Sequence, residues 1–152
     1  MARVKLPVPE SFRFQTEMTL RVGDMNYGGH LGNDAVLALL HEARVRFLRQ
    51  LGGTELDFGG VGIIMTDAVV VYRSQGRLGE TVQVRLEPQE LHDFGFELSY
   101  QVREKQTERE IARAKTGFVC YDYQIGKMVR LPGRARERLA GGAPVAAPPT
   151  GA

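Results

Sequence analysis

Acid, carboxamide and imidazole side chains gather on one glycine-rich stretch, Arg21-Val-Gly-Asp-Met-Asn-Tyr-Gly-Gly-His-Leu-Gly-Asn33, just ahead of a run with helical periodicity. At the mouth of a helix these side chains have a specific use. The unpaired N–H groups and positive dipole end of a helix N-terminus favour negative charge, including the oxyanion formed when an ester or thioester carbonyl is attacked. Gly28, Gly29 and Gly32 let the backbone turn tightly and let a substrate approach it. In such a site, N–H groups near Gly32 and Asn33 would hold the oxyanion. A carboxylate such as Asp24 would activate water, with Asn26 and His30 positioning the water or the carbonyl. Plainer uses stand beside these. Asp24 can bond loop N–H groups, Asn26 can hold a left-handed turn, and Asn33 can cap the helix.

Two further acids lie outside the loop. Glu42, on the helix, can serve chemistry or pair with Arg46 one turn on. Asp67 stands alone in an apolar strand, either a third candidate acid or a buried polar group with its own partners. His41 and His92 read as surface or corner residues. No set of His and acid residues has metal-ligand spacing, so no metal is expected.

The elements that position these groups follow from periodicity. Phe12 to Val22 alternates as a strand, with Phe12, Phe14, Thr16, Met18 and Leu20 on one face. After the loop, Asn33 or Asp34 can cap a helix of about five turns. Val36, Leu39, Leu40, Ala43, Phe47 and Leu51 form its apolar face, widened by Leu37 and Leu48, and Gly52-Gly53 ends it. Ile63 to Tyr72 is nearly continuously apolar, the pattern of a strand covered on both faces. Strands follow over 81–91, with an edge or bulge at Pro88, over 94–102, and over 110–123. A hairpin turn at 124–127 and a short return at 128–131 come next, then a basic helical turn at 134–139. One helix followed by a run of strands argues α+β, an antiparallel sheet of five or six strands wrapped around one long central helix. Residues 1–11 read as a loose lead-in, 12–139 as the domain, and 140–152 as a disordered Gly/Ala/Pro tail.

The 152 residues suffice for one domain with its own core, and a net charge of +2 argues against a dedicated nucleic-acid binder. No apolar run is long enough to span a bilayer or act as a secretory leader, so a cytoplasmic location is expected. The one cysteine, Cys120, excludes an internal disulfide and reads as a buried, inert thiol.

Asp24-Met-Asn-Tyr-Gly-Gly-His30, then Asn33, then His41-Glu-Ala-Arg-Val-Arg-Phe-Leu48, resembles the hotdog-fold acyl-CoA thioesterases, and among them the 4-hydroxybenzoyl-CoA thioesterase-like family. Ala68-Val-Val-Val-Tyr-Arg-Ser74 and Ala112-Arg-Ala-Lys-Thr-Gly117 are similar to later strands of that family. The resemblance implies hydrolysis of an acyl-CoA or acyl-carrier thioester, with no cofactor beyond the coenzyme A of the substrate. It also implies a homodimer or homotetramer, with active sites at the subunit interface. A hydroxyacyl-thioester hydratase or dehydratase, or a non-catalytic acyl-CoA-binding dimer, is the alternative. In many members the catalytic aspartate stands two residues after the place of Asp24, where this chain has Asn26, which cannot act as a base at neutral pH. The acid then falls to Asp24, Glu42 or Asp67. Coenzyme A carries phosphates, which points to Arg73, Ser74 and Arg77 as its rim, with Gly32, Asp67 and Tyr72 beside the substrate.

Overall fold

The computed structural model describes residues 3–141. Strand β1 (Phe14–Thr19) leads through a 3-10 turn (Val22–Asp24) and the glycine loop into helix α1 (Asn33–Gln50). Then come β2 (Gly62–Tyr72), β3 (Thr81–His92), β4 (Gly95–Glu104), β5 (Glu110–Asp122), β6 (Lys127–Val129) and helix α2 (Gly133–Ala140). The six strands form one antiparallel sheet in the order β1-β3-β4-β5-β2, with β6 also paired to β5. The α+β architecture matches the periodicities.

Alternation decides which face of each strand is buried. Val82, Val84 and Leu86 of β3, Phe96, Leu98 and Tyr100 of β4, and Ala112, Ala114 and Phe118 of β5 turn inward. They share one core with Val36, Leu39, Leu40, Ala43, Phe47 and Leu48 of α1. Cys120 lies in that core, and burial pushes its thiol up to about 11. The helix ends where Gly52, at φ +81°, donates to the Arg49 carbonyl and Gly53 to the Leu48 carbonyl. This is the Schellman arrangement, and glycine meets its left-handed residue without strain.

Four expectations need correction. The first strand is shorter than 12–22, because pairing starts at Phe14↔Leu86. Ahead of it the Arg13 N–H goes to the Glu87 carboxylate, and Phe12 turns under the Arg85 guanidinium, 4.4 Å from its ring centre. The cap of α1 is Gly32, with no side-chain cap bond, rather than Asn33 or Asp34. The apolar run in β2 is not covered on both faces. It is an edge strand, bulged between Met65 and Asp67, with residues 65–68 exposed. Pro88 lies in an interior strand, but beyond the end of β1, where its missing N–H has no neighbour to serve, and the bulge follows at Gln89/His92.

The lead-in makes contacts without regular structure: the Arg113 guanidinium donates to the Leu6 carbonyl and Arg3 to that of Tyr72. The tail predicted to be disordered lies, from 142 on, outside the described residues. No helix among the described residues is long and apolar enough to cross a membrane.

A Cβ on Gly95 would lie 1.9 Å from the Phe118 carbonyl oxygen of the neighbouring strand. Only backbone movement relieves such a clash. Gly95→Ala is therefore expected to lower the unfolding free energy by at least about 2 kcal/mol, read from urea midpoints; a loss under about 0.5 kcal/mol would contradict the close approach of β4 and β5.

Candidate active site

The loop ahead of α1 is shaped by its own polar side chains. The Asn26 carboxamide oxygen accepts the N–H groups of Gly28 (2.9 Å) and His30 (3.1 Å), and the Asn26 N–H donates to the His30 carbonyl at 2.7 Å. Asp24 accepts the Arg21 N–H at 2.8 Å through one carboxylate oxygen. Its backbone carbonyl accepts the Gly32 N–H at 2.9 Å. The left-handed residue of the loop is Gly29, at φ +81°, and not Asn26. Asp24 bonds a loop N–H, which is its plainer reading, whereas Asn26 holds the loop through its side-chain oxygen and not through the left-handed turn expected of it.

The Gly32 N–H is committed to Asp24, so it is not the oxyanion donor expected of it. Asn33 is the first helical residue, whose N–H has no intrahelical acceptor. Its carbonyl receives the Tyr72 hydroxyl at 3.0 Å, tying the end of β2 to the start of α1. The Leu31 N–H donates to Gly76, and His30 bridges Arg77, so the 74–80 segment closes the other side. The structure therefore brings Asp24, Asn26, His30, Gly32, Asn33, Tyr72 and Arg77 to one place. Among the described residues, neither the His30 ring nor the Arg77 guanidinium makes a hydrogen bond or ion pair.

Other predicted residues sit elsewhere or are already engaged. Glu42 pairs with Arg46 at 2.9 Å, more than two turns along the exposed side of α1. Asp67 projects from the sheet face opposite α1, where Lys115 at 3.1 Å and Thr66 hold its carboxyl below the usual range. Arg73 pairs with Glu110 at 3.3 Å. Ser74 donates to the Glu110 carbonyl at 2.7 Å and accepts from Arg109. Among the described residues no cluster of His, Cys, Asp and Glu is arranged to hold a metal.

A cleft of about 290 Å³ runs between α1 and the β2 edge, lined by Leu37, Ala38, His41, Arg44, Met65 and Thr116. Its wall is mostly apolar, but its floor is polar. Arg44 is only 7% exposed, stacks 5.0 Å over the Phe118 ring and donates to Glu55. Burial opposes its charge, yet Tyr100 and Glu55 carry the guanidinium above its ordinary value. The Tyr100 hydroxyl bonds Thr116 at 2.8 Å, and burial raises its pKa. Glu55 also meets His41 at 3.3 Å. None of these five residues was singled out for a role. The available signal was helical spacing, which puts Leu37, His41 and Arg44 on one stripe; the partner Glu55, in the following connection, has no such marker.

Asn26→Ala removes the one oxygen that accepts both loop N–H groups and is expected to destabilise the fold by about 1–2 kcal/mol. Asn26→Asp keeps an acceptor oxygen in place and should stay within about 0.5 kcal/mol of the parent. Equal losses in thermal unfolding would mean that the carboxamide does not hold the loop.

The chain is similar to known proteins in sequence and fold. A family model described as the thioesterase-like superfamily matches residues 20–139. A candidate esterase of Synechocystis, sll0410, is 28% identical over 132 residues, covering 83% of this chain and 78% of that protein. The crystal structure of Slr0204, a 1,4-dihydroxy-2-naphthoyl-CoA thioesterase from Synechocystis, superposes with a TM-score of 0.77 at 19% identity, covering 84% of this chain and 96% of that one. That of BH1999, a gentisyl-coenzyme A thioesterase, gives 0.74 at 20% identity, covering 84% of this chain and 100% of that one. With its family model spanning loop, α1 and the whole sheet, the chain belongs to the thioesterase-like superfamily, whose solved relatives share its hotdog fold.

Proposed function

We propose that this protein hydrolyses an acyl-coenzyme A or acyl-carrier thioester to the free acid and thiol, assisted by a carboxylate and without a metal. The observation that carries the reading is the gathering of Asp24, His30 and an Asn33 N–H that has no acceptor among the described residues at the mouth of α1. The thioester carbonyl would lie against that N–H, where the helix dipole stabilises developing negative charge. Asp24 has one oxygen engaged by Arg21; the other would take a proton from the attacking water, with His30 positioning the water or the carbonyl. Asn26 contributes by holding the loop.

The acyl group would run from the helix mouth into the α1/β2 cleft, and Arg77 would meet the coenzyme A phosphates. Arg73 and Ser74, engaged by Glu110 and Arg109, would support that rim. A second copy of the chain completes the reading. The unpaired edge of β2, with Met65 46% exposed, would pair with its counterpart, and the joined sheet would enclose both long helices. Glu42 would reach a site only from that second copy.

Free-thiol release from purified protein against short, long and aromatic acyl-CoAs tests this directly. Asp24→Ala is expected to reduce kcat about a hundredfold or more while the protein still folds and dimerises. A comparable loss in Glu42→Ala, with Asp24→Ala active, would move the acid to the helix. No turnover, with acyl-CoA still raising Tm, would leave a binding protein in place of an enzyme.

A further inference from the structure

The Arg109 guanidinium is turned onto one short segment of the chain. Its Nε donates to the Ser74 hydroxyl at 3.3 Å, and its Nη2 reaches the Gln75 carbonyl at 3.0 Å. The same nitrogen meets both oxygens of the Glu80 carboxylate, at 2.9 and 3.1 Å. Glu80 Oε1 in turn accepts the Arg77 N–H at 2.7 Å. One planar cation therefore spans residues 74–80, a task that its rigid fork suits and a flexible ammonium does not.

Both sides of this contact are firmly built. Arg109 ends the turn between β4 and β5, where the buried Glu104 carboxylate accepts the Thr107 N–H and hydroxyl, each at 2.7 Å. The Glu104 N–H donates to the Arg109 carbonyl at 2.9 Å. Between them Glu108 stands at φ +61°, a left-handed conformation that a non-glycine residue keeps only where its surroundings fix it. On the other side, residues 74–80 lie against the helix mouth. The Gly76 carbonyl accepts the Leu31 N–H at 2.8 Å, and a Cβ on Gly76 would lie 2.9 Å from Leu31 and 3.0 Å from Leu20. Arg77 bridges His30 through the backbone. Its guanidinium, without an ion pair among the described residues, is left to meet a ligand.

We propose that Arg109 is a positioning residue: through Glu80 and the 74–80 backbone it sets where Arg77 stands to meet the coenzyme A phosphates. The inference rests on the thioesterase reading and deepens it, separating the group that binds phosphate from the group that places it. In coenzyme A the pantetheine arm keeps the phosphates well away from the thioester. A contact at the phosphates therefore acts on binding, and the reacting carbonyl at the Asn33 N–H does not feel its loss. Arg109 then governs KM for coenzyme A thioesters and leaves thioesters without phosphates untouched.

The test takes the acyl-CoA that turns over fastest in the thiol-release panel, and the N-acetylcysteamine thioester of the same acid, which has no phosphates. Arg109→Gln is expected to raise KM for the acyl-CoA about tenfold at nearly constant kcat, and to stay within about twofold of the parent on the short thioester. Arg77→Gln should cost as much on the acyl-CoA, and adding it to Arg109→Gln should cost little more, because both act at one contact. Arg109→Lys keeps the charge without the fork, and replaces Arg109→Gln if Tm shows that variant unfolded; the same selective loss is expected, smaller in size. An unchanged KM for the acyl-CoA, equal losses on both thioesters, additive losses in the double variant, or no parent preference for the acyl-CoA overturns the proposal. Each of these leaves the thioesterase reading standing. If the parent hydrolyses neither compound, that reading falls, and the same variants are compared by calorimetric Kd values for coenzyme A and pantetheine. Weaker coenzyme A binding in Arg109→Gln, not additive with Arg77→Gln, then supports the proposal; unchanged binding, or none by the parent, overturns it.

Discussion

Val36, Leu39, Leu40, Ala43, Phe47 and Leu48 press one face of α1 into the sheet, and both the helix mouth and the cleft follow from where that contact puts the helix. Each of these side chains apart from Ala43 contributes about 1.5–3 kcal/mol. A helix N-cap is worth about 1 kcal/mol. Packing therefore outweighs capping several times over, and the helix can begin at Gly32 with no side chain closing its end. A side-chain cap would have occupied N–H groups that the first turn leaves without an intrahelical acceptor. Tyr72 acts on the other polarity, donating to the Asn33 carbonyl and so holding the helix start against β2 without consuming a donor there.

The same packing leaves β2 at the sheet edge. Its pairing with β5 runs from Gly62↔Tyr121 to Tyr72↔Ala112, while its opposite edge faces no strand among the described residues. An exposed edge carrying Met65 invites pairing with another chain. The bulge between Met65 and Asp67 re-aims the strand there: Asp67 swings to the outer face to meet Lys115, while Met65 and Ala68 stay on the α1 side.

Much of the fold was legible because period-two and helical patterns report burial directly. The β4 run Phe96, Leu98, Tyr100, Val102 and the α1 stripe are both core. The β2 run failed for a definite reason: continuous apolarity marks what must be covered, not whether the cover comes from the same chain. The loop was located by its residue types, but its internal bonds were not readable, since Asp24 and Asn26 each have oxygens able either to bond backbone or to serve chemistry. Arg44 was hidden because a charged residue inside an apolar stripe reads as a solvated side chain; its partners Glu55 and Tyr100 are distant in sequence and meet it only in the fold.

Asn26 shows how loop shape and loop chemistry separate. The carboxamide oxygen accepts two backbone N–H groups, a task an aspartate oxygen would do equally well. What the asparagine removes is negative charge, not geometry. Asp24 lies two residues earlier in the same bonded loop and joins the helix mouth through its carbonyl to Gly32. A carboxylate on this loop precedes the positive end of α1, where negative charge is favoured. Arg44, which lines the α1/β2 cleft, and its partner Glu55 also act through position. A buried ion pair adds little net stability, because desolvation offsets its Coulomb gain. What this pair provides is position: the buried guanidinium holds one Glu55 oxygen, and the other meets His41 at 3.3 Å.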